Sequence, residues 1–158
     1  MRFLPLPLAA VLSATVLVLT APVQAAAVPA IQITRIWYDS PGSPDSGANS
    51  SLNGEYVRLT NTTRKAVSLT GWTVRDETRR ADHVYTFGTF TLGGGKTVTL
   101  RTGKGRDGAT TVYWGRSGGT LAYIWNQAKD TAYLRNPSGT LVDSCSYNSS
   151  RADYINCA

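Results

Sequence analysis

The stretch GEYVRLTNTTRKAVSLTGWTVRD, residues 54–76, decides how the chain is read. Tyr56-Val57-Arg58-Leu59-Thr60 and Val67-Ser68-Leu69 alternate apolar with polar side chains, the period of half-buried strands. The polar run Asn61-Thr62-Thr63-Arg64-Lys65 lies between them, so the spacing predicts a hairpin with Val57, Leu59, Val67 and Leu69 facing inward. Trp72 and Val74 fall in the opposite phase. A side-chain period of two tolerates that slip only through a bulge or bend, and Gly71 is where the backbone bends at least cost. Trp72 is then the expected core anchor, its burial removing about 150–250 Å² from water.

Working outward, the pattern repeats in short units. Residues 31–38 (IQITRIWY) read as a first strand interrupted by Arg35. Residues 83–87 and 97–102 read as two more around the turn Gly93-Gly94-Gly95, with Tyr85, Phe87, Val98 and Leu100 inward. The triple glycine lacks the spacing of a phosphate loop and precedes a strand rather than a helix. Residues 111–114 form a strand tipped by aromatics, and residues 121–125 a further strand or the approach to one. Residues 131–135 and 141–147 form a closing hairpin over Asn136-Pro137-Ser138-Gly139. With no sustained 3.6-residue period and eight or so short strands, the chain is all-β, a sandwich or a barrel.

The N-terminus is of another kind. One positive charge at Arg2, an apolar run over residues 3–20 and a small-residue exit over residues 21–27 have the layout of a secretory signal peptide, cleaved after Ala25 or Ala27. The expected organisation is therefore a signal peptide, residues 1–27, and one domain, residues 28–158, exported as a monomer with no membrane anchor. The formal net charge of +6 falls to +5 when the leader takes Arg2 with it. Such a balance favours anionic partners, cell-envelope polymers or nucleic acid, and equally keeps a secreted protein soluble. Export also makes a disulfide the natural state of the two cysteines, Cys145 and Cys157, expected to pin the C-terminal tail against the last strand.

Catalytic chemistry finds no constellation. His83 has Asp82 beside it, but adjacent strand residues point to opposite faces, so Asp82 is badly placed to orient it. Glu55, Asp76 and Glu77 are the carboxylates a small hydrolase would draw on, and nothing in the spacing pairs them. The polar loop of residues 39–53 offers Asp39, Asp45 and Asn49 as oxygens for Ca²⁺, without the alternation or terminal glutamate of an EF-hand loop. No catalytic residue, cofactor or metal is assigned. Basic residues of the turns, Arg75, Arg79, Arg80, Lys104, Arg106 and Arg116, are the candidate contacts to an anionic ligand. Trp37, Tyr38, Tyr113, Trp114, Tyr123 and Trp125 are expected to pack, with Tyr113 and Trp114 the pair best placed to face solvent.

Taken in order, these blocks resemble the lamin tail domain of secreted bacterial proteins. Gly54-Glu55-Tyr56-Val57 leading to Asn61, and Leu69-Thr70-Gly71-Trp72-Thr73-Val74-Arg75-Asp76, are similar to its GEWVE-x-N and L-S-G-W-x-L-x-D motifs. Tyr85-Thr86-Phe87, Leu92-Gly93-Gly94-Gly95, Trp125-Asn126, residues 130–135 and residues 139–144 follow the later blocks. Arg35 stands where members often carry an acidic residue, and Lys129 where they carry glycine. The resemblance implies an immunoglobulin-like β-sandwich and a secreted, non-enzymatic binding or envelope-associated module. A binder of nucleic acid or another anionic polymer through basic loops, and a small secreted hydrolase or inhibitor, are the alternatives.

Overall fold

The computed structural model describes residues 27–41, 45–148 and 151–157; the segment read as a signal peptide lies outside them except for Ala27. Its strands are β1 (Ile31–Trp37), β2 (Tyr56–Asn61), β3 (Val67–Ser68), β4 (Thr73–Arg75), β5 (Val84–Thr86), β6 (Thr91–Leu92), β7 (Thr97–Arg101), β8 (Thr111–Tyr113), β9 (Lys129–Arg135), β10 (Leu141–Asn148) and β11 (Tyr154–Asn156). One helical turn, α1 (Asn49–Leu52), precedes β2. The strands make a five-stranded sheet in the order β11-β1-β2-β7-β8 and a four-stranded sheet in the order β10-β9-β4-β5, with β3-β6 as a separate pair. All pairings are antiparallel except β7 with β8.

One core lies between the sheets. The five-stranded sheet gives it Ile31, Ile33, Ile36, Val57, Leu59, Val98, Leu100 and Val112. The four-stranded sheet gives Val74, Ala132, Leu134, Cys145 and Tyr147. Alternation is what makes this division: along β7, and along β2 from Val57 onward, every second side chain is buried and its neighbours look outward. This is the all-β, immunoglobulin-like sandwich that the blocks imply.

Two expected hairpins are not formed. β2 does not pair with β3; it lies between β1 and β7, while β3 pairs with β6. The cause is the fully buried Asn61. Its Nδ2 donates to the carbonyls of Lys65 (2.8 Å) and Leu92 (2.9 Å), and its Oδ1 accepts from Thr63 N (3.0 Å) and Thr63 Oγ1 (2.8 Å). The turn is thus held inward and delivers β3 to a different neighbour. Likewise β5 pairs with β4 and β7 with β2, so no hairpin spans the triple glycine. That turn packs on the other: a Cβ on Gly94 would lie 2.3 Å from the Arg64 carbonyl oxygen.

Gly71 does bend the chain, with φ of +77°. The anchors either side of it are Leu69 and Val74, both fully buried, whereas Trp72 is only half-buried against the rim of the core. The loop of residues 39–53 also departs from a purely solvated reading, because α1 drives Leu52 into the interior.

The disulfide joins Cys145 to Cys157 with Cα atoms 5.7 Å apart. It ties the C-terminal tail to β10, the last strand that the sequence pattern revealed. β11, a strand the sequence pattern did not reveal, pairs with β1, and the bond crosses from its end to β10 of the opposite sheet.

Candidate functional site

Three acids, Glu55, Asp76 and Asp130, are buried. Glu55 is fully buried, and its carboxyl accepts the backbone N–H groups of Ile124 (3.0 Å) and Trp125 (2.7 Å). Burial pushes it up to about 8, opposed by its hydrogen bonds to Thr102 and those two amides. Asp130 accepts from Thr131 N (2.7 Å), Asn126 N (3.0 Å), Asn126 Nδ2 (3.0 Å) and Glu77 N (3.1 Å), and burial raises it too. Asp76 accepts from Thr78 N (3.0 Å) and Thr78 Oγ1 (2.8 Å), and its Oδ2 lies 2.6 Å from His83 Nδ1.

These groups staple loops to strands. The partner of His83 is Asp76, seven residues away, and not Asp82. It is supplied by the end of β4 meeting the helical turn Ala81–His83. Among the described bonds the side-chain partner of the pair is Thr78, which donates to Asp76.

The oxygens proposed for Ca²⁺ are divided between two places. Gln127 Nε2 bridges Asp39 Oδ1 (3.0 Å) and Asp45 Oδ2 (2.8 Å). Asn49 faces elsewhere, bonding both Lys104 N (2.7 Å) and Lys104 O (3.0 Å). Among the described residues no three His, Cys, Asp or Glu side chains gather at metal-binding distance.

The basic turns split in a similar way. Asp82 binds Arg80 and Arg116, each at 2.8 Å, and these two charges hold its carboxyl far below the usual range. Arg116 also donates to the carbonyls of Asp82 (3.1 Å) and Ala122 (3.2 Å), which fixes the guanidinium against the protein. Arg75 donates to the carbonyls of Asp76 and Thr78. Arg79, Lys104 and Arg106 extend from exposed positions. The six candidates thus divide into three held by internal bonds and three that present their charge to solvent.

A surface that the loop residues did not suggest lies on the outer face of the five-stranded sheet. Tyr154, Trp37, Tyr56, Arg101 and Tyr113 are successive Cα partners across β11, β1, β2, β7 and β8, forming one row five strands wide. The next row is Asn156, Arg35, Arg58, Thr99 and Thr111. Trp37 stacks on Tyr154 with centroids 4.8 Å apart and lies 5.8 Å from Tyr56. The guanidinium of Arg35 sits 4.7 Å from the Tyr154 centroid, and those of Arg58 and Arg101 lie 5.1 and 5.6 Å from that of Tyr56. A register shift in β1 between Ile33 and Arg35 sets this face: Ile33 and Ile36 both point into the core, so Arg35 and Trp37 are turned outward.

The sequence model of the Lamin Tail Domain family matches residues 24–149. The chain belongs to this family. No curated protein gave a significant match to it. In this lamin tail domain the motif residues are structural: Glu55 and Asp76 hold loops, Asn61 sets a turn, and Gly71 bends the chain. The outer row was partly legible, since Trp37, Tyr113 and Arg101 stand among aromatic and basic residues with a period of two. Tyr56 and Tyr154 were not, because membership depends on strand order and on the undetected β11. Of the remaining aromatics, Tyr38 and Trp125 are core residues. Trp114 is half-buried edge-on to Trp125, and Tyr123 hydrogen-bonds Ser51.

Proposed function

We propose that this lamin tail domain is a secreted, non-catalytic binding module, monomeric and associated with the cell envelope or its surroundings. The observation that carries the reading is the row Tyr154–Trp37–Tyr56–Arg101–Tyr113 on the outer face of the sheet, where Tyr154 is exposed, Trp37, Arg101 and Tyr113 are partly exposed, and Tyr56 is buried beneath its neighbours. Aromatic and arginine side chains are the residues over-represented where proteins bind others. The layout of residues 1–27 supports export, and the disulfide suits an oxidising compartment. The test is a screen of the mature protein against cell-envelope fractions, polysaccharides and DNA, alongside sequencing of its N-terminus from culture medium. Retention of at least one class and a start at Ala26 or Val28 are expected; no retention by any class overturns the reading.

A second reading, an anionic-polymer or nucleic-acid binder working through the loops, is favoured by the exposed Arg79, Lys104 and Arg106. Its signature is salt dependence, since each neutralised phosphate adds about 0.9 to the logarithmic slope. A hydrolase or inhibitor draws less support, because Glu55, Asp76 and His83 are all engaged in holding the fold.

A further inference from the structure

Among the described residues, the arginines on the outer face of the five-stranded sheet have no carboxylate counter-charge. Arg35 and Arg58 are direct cross-strand partners. Like charges so placed, with Cβ atoms about 4.5–5.5 Å apart, repel each other. Among the described residues the ion pairs are Arg80–Asp82, Arg116–Asp82 and His83–Asp76, so no carboxylate neutralises Arg35, Arg58 or Arg101. The register shift in β1 is what turns Arg35 onto this face, where regular alternation from Ile33 would bury it. The Arg35 guanidinium leans toward β11, over Tyr154 and donating to Asn156 Oδ1 (2.8 Å), and that of Arg58 lies over Tyr56, so the face presents a row of guanidiniums without carboxylate partners, a receptor for anionic groups.

The arrangement of the rings narrows the ligand. Single-stranded nucleic acid is held largely by bases stacking on open aromatic faces, at about 1–3 kcal/mol per base. Here the faces are taken up: Trp37 lies against Tyr154, Arg35 over Tyr154, and Arg58 and Arg101 over Tyr56. What this leaves for a ligand is the remaining N–H groups of the guanidiniums, Arg35 Nε being given to Asn156 Oδ1 (2.8 Å), and the partly exposed Thr99 and Thr111 that continue the Arg35–Arg58 row. Charged forks set beside hydroxyls match a hydroxyl-rich chain carrying carboxylate or sulfate groups.

We propose that this face binds an acidic polysaccharide, with Arg35 and Arg58 contacting its anionic groups. Arg101, tied also to the Asn53 carbonyl, holds a position one row away. The inference rests on the binding-module reading and adds both the place and the ligand class.

The test is calorimetric titration of the mature protein with heparin oligosaccharides and with polygalacturonate oligomers, using neutral dextran and oligo-dT as controls. Binding of an acidic glycan but not dextran is expected, weakened roughly tenfold or more by the double substitution Arg35→Gln/Arg58→Gln. The melting temperature of that variant should stay close to that of the wild type, the relief of repulsion offsetting the lost guanidinium–ring contacts. If the double variant does not fold, Arg58→Gln alone carries the comparison. Undiminished binding in the folded variant, tighter binding of oligo-dT, or no binding of either glycan by the wild type would each overturn the inference. Loss of binding in Arg79→Gln/Lys104→Gln/Arg106→Gln, with none in Arg35→Gln/Arg58→Gln, also overturns it and moves the site to the loops, leaving the module reading intact.

Discussion

The amide of Trp125 donates to Glu55 Oε1 at 2.7 Å, joining residues 70 apart in sequence. With the matching bond from Ile124 to Oε2, it fastens the segment entering β9 to the start of β2. The buried carboxyl substitutes for strand pairing where the chain crosses between the sheets.

A pH dependence follows from Glu55. Its carboxyl goes from 4.5 to about 8 on folding, so the folded protein keeps a proton that the unfolded chain releases. Stability is therefore fully present below about pH 4.5 and is lost as pH rises toward 8, at up to about 1.4 kcal/mol per pH unit. Asp45 and Asp130, both raised by burial, act in the same direction. Thermal melts between pH 4.5 and 8.5 should show the wild type falling across this window, and Glu55→Gln falling distinctly less.

Substitutions around Gly71 rank the core. Leu69→Ala removes a fully buried side chain and should cost about 2–5 kcal/mol. Trp72→Ala, at a half-buried site, should cost less than Leu69→Ala despite the larger side chain lost. Urea denaturation of both variants checks the order; a greater loss at Trp72 would restore that residue as the principal anchor.

His83→Ala leaves the buried Asp76 carboxyl without its 2.6 Å partner, holding only the two donors of Thr78. A destabilisation of about 1–3 kcal/mol is expected by denaturant titration, with the strand signature of the circular dichroism spectrum retained.

Opening the disulfide loosens β11, which otherwise holds to β1 through three paired residues flanked by the bonds of Cys157 N to the Thr34 carbonyl and Tyr38 N to the Asp153 carbonyl. Reduction, or Cys145→Ser/Cys157→Ser, should lower stability by about 3 kcal/mol. It should also increase the exposure of Trp37 by releasing Tyr154 from it, seen as greater quenching of tryptophan fluorescence by iodide.

Asp82→Ala separates the loops from the sheet face. It releases Arg80 and Arg116 from their shared counter-ion beside the exposed Arg79. A loop-borne polyanion site would bind more tightly in this variant, whereas a site on the sheet face would change little; titration with heparin oligosaccharides distinguishes them.

The fold was legible to the extent that alternation is local. Val57, Leu59, Val98, Leu100, Ala132 and Leu134 all sit in the core where a period of two puts them, and the β9–β10 hairpin follows its turn residues. Pairing between strands was less legible, because alternation states which face a residue takes and says nothing about its neighbour. Asn61 reads as a turn residue, yet its buried side chain is what prevents β2 and β3 from pairing. The same limit hid the outer face: Tyr56, Trp37 and Tyr154 become one row only once β2, β1 and β11 are laid side by side. His83 found its carboxylate at a distance for the same reason, through the contact of a helical turn with the end of β4.

The most direct measurement is amide chemical-shift mapping of the mature, isotope-labelled protein during titration with an acidic oligosaccharide. The shifted amides should cluster on β1, β2, β7 and β11 around Arg35, Arg58, Trp37 and Tyr154. Shifts confined to residues 77–80 and 104–106, or none at saturating ligand, would contradict this placement of the site.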